Sequence, residues 1–265
     1  MNSLMWAVAD SHVVAKRNII KIKRVPEVLM FVLISPIMFV LLFAYVFGES
    51  INIPGGSYRE FLIGGIFAQT VIFGATFTGA GLADDMQKGI MDRFRALPMS
   101  RAAVLVGRTA SDVVYNVLSL IIMALTGLLV GWRIHNGAID ALYGFALLLA
   151  FAYAFSWVMA YVGLLVPSVE VINNASFVVI FPLTFVANTF VPAENLPGFL
   201  KTFAEWNPVS AVTQAARELF GNIPAGTPEP TVWPLQNAVL YTIIWIFVII
   251  AVFAPLSVNH YRKAR

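Results

Sequence analysis

Long apolar runs alternate with short polar connections along most of the chain. A helix needs about 20 mainly apolar residues to cross the hydrocarbon core of a bilayer. Six segments meet this requirement, at about 28–47, 61–83, 104–130, 141–166, 171–190 and 238–256. The pattern therefore predicts an all-α membrane protein with six transmembrane helices.

The segment ahead of the first run, residues 1–24, has a different pattern. Its apolar residues recur at helical spacing and its basic residues can face water, with Leu4, Val8, Ala15, Ile19 and Ile22 in the first group and Lys16, Lys23 and Arg24 in the second. A basic amphipathic helix before a span usually lies in the plane of the interface. Residues 1–24 are therefore predicted to form an interfacial helix and 25–265 the transmembrane domain, with a solvated basic tail as the alternative.

Lysines and arginines are distributed unevenly over the connections between the predicted spans. If the N-terminus is cytoplasmic, only four of the 17 basic residues lie on the outer side, namely Arg59, Arg133, Lys201 and Arg217. Cytoplasmic loops of membrane proteins carry an excess of Lys and Arg. Both termini are therefore predicted to be cytoplasmic.

Composition narrows the possible functions. Hydrophobic residues make up 59% of the chain and charged residues only 12%, so part of the surface must face lipid. The net charge of +3 is too small to indicate nucleic-acid binding, and the absence of cysteine excludes thiolate chemistry. The predicted spans carry no cluster of catalytic side chains, and the sequence has no Gly-x-x-x-x-Gly-Lys phosphate loop. The chain is predicted not to be an enzyme.

The connection between the second and third predicted spans has a regular charge pattern. Asp84, Lys88 and Asp92 are four residues apart, so opposite charges can pair on one helix face. A second, apolar face is formed by Ile90, Met91, Phe94 and Leu97. Pro98 should end the helix at Leu97. The pattern predicts a short rigid helix over about 84–98 that docks onto a cytoplasmic partner, with a solvated loop as the alternative.

Residues 191–222, ahead of the last span, form the longest outer segment. Its prolines, at positions 192, 197 and 208, prevent one continuous helix. Asn207 can cap a new helix that has Pro208 in its first turn, and an apolar face follows at Val209, Val212, Ala216, Leu219 and Phe220. Arg217 and Glu218 are predicted to face water. A gating helix and a loop resting on lipid headgroups both fit this pattern.

Polar residues within the spans leave two other classes of function open. Arg108 and Asp112 lie one turn apart near the inner end of the third span, where they can pair, and snorkelling or anchoring at the membrane surface is favoured over a transport role. A secondary carrier could use uncharged ligands such as Gln69, Asn116, Asn173 and Asn188. A scaffold that transports nothing is the other alternative.

Several stretches together resemble one family. Residues 88–99 (KGIMDRFRALPM) and 103–108 (AVLVGR) are similar to the ABC-2 type permeases, particularly the daunorubicin-resistance membrane subunit. Three further stretches agree in matching order, at 21–27 (KIKRVPE), 181–188 (FPLTFVAN) and 207–210 (NPVS).

The resemblance implies a permease subunit of an ATP-driven exporter of drugs or lipids in a bacterial plasma membrane. It implies a second permease subunit, identical or paralogous, and two copies of an ABC ATP-binding subunit, which bind the ATP and Mg that this chain does not. It makes the segment over 84–98 a coupling helix that docks on the ATPase through Asp84, Asp85, Lys88, Gly89, Asp92, Arg93, Phe94, Arg95 and Pro98. The outer helices, over about 191–222, would be short re-entrant helices that dip into the membrane and gate the exit through Asn207, Pro208, Leu219 and Phe220.

Overall fold

The computed structural model describes residues 3–24, 34, 37–47, 56–166, 168–193, 196–223 and 229–263. Within these ranges all regular structure is helical. The helices are α1 (Ser3–Arg24), α2 (Ile37–Val46), α3 (Tyr58–Gly74), α4 (Thr76–Gln87), α5 (Ile90–Ala96), α6 (Arg101–Val130), α7 (Ala138–Leu165), α8 (Val169–Phe185), α9 (Gly198–Trp206), α10 (Pro208–Phe220), α11 (Trp233–Gln236) and α12 (Ala238–Lys263).

Four of the described helices are long and apolar enough to cross a membrane. They are the α3–α4 rod Tyr58–Gln87, which has an irregular turn at Ala75, and the helices Ala102–Val130, Ala138–Leu165 and Ala238–Lys263. With 26 to 30 residues each, they exceed the roughly 20 residues that a bilayer requires. Four of the six predicted spans are thereby confirmed as helices of sufficient length.

Of the other two predicted spans, the first is described only in part, and the fifth is shorter than expected. The first is α2, and the rest of its predicted range, 28–33 and 35–36, lies outside the described residues. The fifth is α8, which ends at Phe185 rather than near Phe190. Pro182 has no N–H to donate within α8, and the backbone leaves the helix through a turn after Val186.

The α3–α4 rod lies at the centre of the bundle. Its residues are mostly buried, whereas α12 exposes most of its apolar surface, as at Phe247, which is 69% exposed. Close approach of α4 to α7 depends on Gly79 and Gly163, since a Cβ added at Gly163 would lie 2.6 Å from the Gly79 carbonyl oxygen. The rod is thus a buried axis, and α6, α7, α8 and α10 pack around it.

Helix α1 is confirmed as a helix, and it lies along α6. Val14 is buried against Gly107, where an added Cβ would lie 2.5 Å from the Ser11 carbonyl oxygen. Asn18 donates a hydrogen bond to Ser111, with 3.3 Å between Nδ2 and Oγ. The opposite face exposes apolar side chains, including Trp6, Val8, Val13 and Ile20. The helix therefore has one face bound to the bundle and a second, apolar face that is open.

Candidate functional site

The bundle has two ends, each with short helices. The basal end carries α1, α5 and the final turns of α12, and the distal end carries α9, α10 and α11. The residues predicted to dock a partner lie at the basal end, and those predicted to form a gate lie at the distal end. The α3–α4 rod runs from one end to the other.

The predicted docking helix over 84–98 is in fact two helices. Helix α4 ends at Gln87 and α5 begins at Ile90, because Gly89 has a left-handed backbone with φ of +64°. Glycine adopts this conformation without the steric cost that a Cβ imposes. The expectation of one continuous helix is therefore wrong, and α5 is free to leave the direction of α4.

The charge pairing changes with this break. Lys88 Nζ lies 2.7 Å from Asp84, as the four-residue spacing predicts. Their hydrogen bond raises the pKa of Lys88, which keeps its positive charge. Asp92 instead pairs with Arg95 on α5, at 2.9 Å. The expectation that Asp84, Lys88 and Asp92 share one helix face is therefore wrong for Asp92.

Helix α5 ends close to the position expected from Pro98. Ala96 is its last residue, and Leu97 has the extended backbone that a residue before proline prefers. Leu97 and Pro98 then stand exposed at the tip of the basal end, Leu97 with 53% of its surface accessible.

One side of α5 is held by α1. Arg17 forms an ion pair with Asp85 of α4, and its guanidinium lies over the ring of Phe94 at 5.0 Å from the centroid. Asp85 is only 4% exposed, whereas the Arg17 side chain is partly exposed, so the carboxylate rather than the whole ion pair is shielded from water. Asp10 of α1 also accepts a hydrogen bond from the backbone N–H of Ser100, at 3.2 Å. Helix α1 thus links α4, α5 and the start of α6.

The other side of α5 packs on the last turns of α12. The guanidinium of Arg95 lies 5.0 Å from the ring centroid of Tyr261. Met91 is buried in an apolar cluster with Leu82, Trp157 and Tyr261. Both terminal helices of the described chain therefore fix the position of α5.

The predicted docking residues divide into two groups. The exposed group comprises Lys88, Asp92, Arg93 and Pro98, and Leu97 lies among them. The inward group comprises Asp84, Asp85, Gly89, Phe94 and Arg95, which are buried or half-buried. The contacts of Arg17 and Tyr261 with α5 are not visible in the sequence pattern, because their partners lie far away along the chain.

The predicted pair in the third span is confirmed. Arg108 and Asp112 lie 3.6 Å apart in α6. Both also contact α4, since Arg108 donates to the Phe77 carbonyl and the Thr78 hydroxyl donates to Asp112. The pair therefore ties α6 to the central rod, and its burial contradicts the expectation that it snorkels towards the membrane surface.

At the distal end, Asn207 caps α10 as predicted. Its side-chain oxygen accepts from the Val209 N–H at 2.9 Å, and Pro208 occupies the first turn. Its Nδ2 also donates to the Leu183 carbonyl at 2.7 Å, near the end of α8. One asparagine therefore satisfies the start of one helix and the end of another.

Arg217 contradicts the expectation that it faces water. It is 1% exposed, and it donates to the carbonyls of Phe61 at 2.8 Å and Thr189 at 3.0 Å. Gly64 leaves the space for it, since an added Cβ there would lie 2.8 Å from Arg217 Cγ. The polar stripe of α10 is therefore turned towards α3.

Phe220, predicted as a gate residue, lies in a packed aromatic cluster. Its ring centroid is 4.9 Å from that of Phe145, 5.4 Å from Trp132 and 5.7 Å from Phe67. Phe220 has no exposed surface, whereas Leu219 is half-buried against Gly144. These two neighbours have different surroundings, and only Leu219 reaches the protein surface.

A cavity of about 360 Å³ lies within the bundle between α2, α3, α4, α6 and α8. Two of the four predicted carrier ligands, Gln69 and Asn173, line it. The other two do not line it. The side-chain nitrogen of Asn116 donates a hydrogen bond to the Asp112 carbonyl, and the backbone N–H of Asn188 donates one to the Ser210 hydroxyl. The cavity wall is largely aromatic, with Phe39, Phe73, Phe77, Phe177 and Phe181.

The profile of the ABC-2 type transporter family matches residues 11–220. The daunorubicin resistance ABC transporter permease protein DrrB1 of Streptomyces coeruleorubidus is 32% identical over 93% of this chain and 84% of its own length. The doxorubicin resistance ABC transporter permease protein DrrC of Mycobacterium tuberculosis is 24% identical over 88% of this chain and 80% of its own.

A third relative comes from a different lineage. The transport permease ycf38 of Cyanophora paradoxa is 24% identical over 81% of this chain and 75% of its own length. All three similarities extend over most of both chains, and the family profile includes α5, the cavity and α10. The chain belongs to the ABC-2 type transporter family.

Proposed function

We propose that the chain is the permease subunit of an ATP-binding-cassette exporter, which moves amphipathic or hydrophobic drugs or lipids out across a bacterial plasma membrane. Permeases of this family normally work with an ABC ATP-binding subunit, which supports an ATPase partner. In the proposed complex this partner is present in two copies and binds the ATP and Mg. A second permease, identical or paralogous, completes the proposed complex. The names of two relatives, for daunorubicin and doxorubicin resistance, support a drug as substrate.

The arrangement of the helices at the basal end is the main support for this proposal. Helix α5 is held by Arg17 on one side and Tyr261 on the other. It nevertheless exposes Asp92, Arg93 and Leu97. Because α5 is bound through its inner face, a partner that displaces α5 would displace α1, α4 and α12 together with it. The exposed face is the docking surface that we assign to the ATPase.

The docking surface is tested by Arg93→Glu and Leu97→Asp in co-expressed permease and ATPase. We expect each variant to weaken binding of the ATPase, because a lost interface charge or apolar anchor costs about 2–5 kcal/mol. Lys201→Glu, an equal charge reversal in α9 at the distal end, is the matched control and should leave binding unchanged. Normal binding by both docking variants would place the interface elsewhere.

The six-span topology with both termini cytoplasmic belongs to the same proposal. Its support is the excess of Lys and Arg at the proposed inner side and the four helices of spanning length. Because the chain contains no cysteine, single cysteines at Arg93 and Lys201 can be labelled with an impermeant reagent. Lys201→Cys should react from outside intact cells and Arg93→Cys only after lysis. The reverse pattern would overturn the topology.

A secondary carrier remains the second candidate, because Gln69 and Asn173 line the cavity. Vanadate traps the ATPase of an ABC transporter and leaves an ion gradient intact. Efflux that stops with vanadate supports the exporter. Efflux that stops only when the proton or sodium gradient is removed supports the carrier, and absence of any efflux supports a scaffold.

A further inference from the structure

The cavity contains hydroxyl groups without hydrogen-bond partners. Five of the residues that line it have a buried side-chain oxygen that forms no hydrogen bond within the described part of the chain, namely Thr70, Thr76, Tyr115, Ser119 and Ser176. Ser119 is 2% exposed, and Tyr115 is 4% exposed. Buried polar groups nearly always have partners in native structures, so a cluster of five requires a physical explanation.

Many hydroxyls elsewhere in the described helices do have partners, although the buried Thr213 hydroxyl in α10 does not. Thr109, Ser156, Thr184 and Thr242 each donate to the carbonyl four residues earlier, at 2.7 to 3.1 Å. This local bond is open to any serine or threonine in a helix. The hydroxyls of Ser119 and Ser176 lie in helices too, yet they do not form it. The hydroxyl groups of Ser119 and Ser176 therefore remain available to a molecule in the cavity.

The apolar part of the wall favours rings. The rings of Phe177 and Phe181 are stacked with centroids 4.8 Å apart, and Phe77 and Tyr115 lie 4.9 Å apart. Aromatic side chains bind flat rings by offset or edge-on stacking. A volume of about 360 Å³ accommodates a compact molecule of a few fused or linked rings.

The wall carries no aspartate, glutamate, lysine or arginine among its described residues. The nearby ionisable pair, Arg108 and Asp112, is occupied by its own contacts with each other and with α4. Placing a formal charge in such a site without a counter-charge is unfavourable. A charged ligand is therefore disfavoured.

We propose that this cavity binds a neutral, ring-containing molecule that carries several oxygen atoms, which pair with the free hydroxyls of α3, α4, α6 and α8. This inference deepens the proposed function and rests on it, because it gives the transported substrate a chemical class. Ser119 and Ser176 face the ligand from two different helices, and the phenylalanines hold its rings.

The test measures equilibrium binding to the purified full-length chain in lipid nanodiscs, without ATPase or ATP. The probe is hydroxyflavone, which is neutral, oxygenated and fluorescent. Phenylnaphthalene has a similar ring outline without oxygen, and sulfonated hydroxyflavone carries a charge. We expect hydroxyflavone to bind saturably. Phenylnaphthalene and sulfonated hydroxyflavone should bind at least about tenfold more weakly. Equal binding of phenylnaphthalene would make the cavity a hydrocarbon site and overturn the proposal.

Variants identify the hydroxyls involved. Ser119→Ala and Ser176→Ala should each raise the Kd of hydroxyflavone about three- to tenfold and leave phenylnaphthalene unaffected. Thr126→Ala is the matched control in α6, because the Thr126 hydroxyl already bonds to the Ile122 carbonyl at 2.9 Å. Neither serine variant should lower the thermal midpoint, since no intramolecular bond is lost. Unchanged hydroxyflavone binding in both serine variants would overturn the assignment.

Failure here is distinguishable from failure of the proposed function. If hydroxyflavone does not bind while the α5 variants weaken ATPase binding as expected, the ligand class is wrong and the permease role stands. If hydroxyflavone binds while the α5 variants have no effect, the cavity assignment stands and the docking surface is wrong.

Discussion

Arginines lie over aromatic rings at both ends of the bundle, but in different surroundings. At the distal end the guanidinium of Arg217 is 3.5 Å from the Phe61 centroid, fully buried, and bonded to two carbonyls. At the basal end Arg17 is 5.0 Å from the Phe94 centroid and its side chain is partly exposed. The distal contacts form a closed core, whereas the basal contacts join separate helices near solvent. The distal end is therefore a packed core, whereas the basal end is a set of contacts between helices on which the proposed docking of a partner would act.

The largest effect is expected from Phe220→Ala at the distal end. Removing a fully buried phenylalanine costs about 3–5 kcal/mol, and here it would open the cluster of Phe67, Trp132 and Phe145. Thermal or SDS unfolding of the purified chain measures the loss. Leu219→Ala, at the half-buried neighbour, should cost about 1 kcal/mol.

The same two variants test the proposed outer gate, which Asn207, Pro208, Leu219 and Phe220 were predicted to form. The location of α10, at the end of the bundle opposite α5, supports a gate there. Leu219→Ala should then raise basal leak without loss of folded protein. If leak rises only with Phe220→Ala, and in proportion to unfolding, Phe220 is a core residue and has no gating role.

A smaller but still large effect is expected from Arg217→Ala. The change removes two hydrogen bonds and the ring contact, leaves a cavity beside Gly64, and should cost about 2–4 kcal/mol. Arg133→Ala is the control at the same end, because that arginine is exposed and should cost less than about 1 kcal/mol. Equal losses for the two arginines in the unfolding assay would contradict the buried position of Arg217.

Arg217 also illustrates what the sequence can and cannot predict. Four of the six spans predicted from composition and length are found as helices of spanning length, and the cap at Asn207, predicted from a local pattern, is present. The partners of Arg217, the carbonyls of Phe61 and Thr189, come from other elements. The stripe pattern of a helix shows which side is polar, but not whether that side faces water or a neighbouring helix. The cavity hydroxyls, drawn from four helices, share this dependence on tertiary packing.

At the basal end, Arg17→Ala is expected to cost about 1–3 kcal/mol, because it leaves the buried Asp85 without its cation. The larger consequence is on coupling: α5 loses its link to α1, so ATP hydrolysis should continue while transport falls. Adding Asp85→Asn removes the unpaired charge and should restore part of the stability but not the coupling. ATPase activity and efflux, measured together, test this. A double variant that regains full transport would limit Arg17 to charge compensation.

The smallest stability effect, and the sharpest test of the basal end, is expected from Gly89→Ala. No atom lies within 4 Å of an added Cβ, so the cost comes only from the left-handed backbone at φ +64°. That cost is about 1–2 kcal/mol, and the chain can avoid it by continuing α4 straight into α5. A straightened segment would carry Arg93 and Leu97 away from the docking surface, so ATPase binding should fall by more than the loss of stability accounts for.

Gly131→Ala is the matched control, because Gly131 also has positive φ and open space around its Cβ but caps α6 at the distal end. Gly131→Ala should lose at least as much stability, because its φ of +105° lies farther from the left-handed α region. Only Gly89→Ala should lose ATPase binding, and equal binding by both would show that the break between α4 and α5 does not position the docking surface.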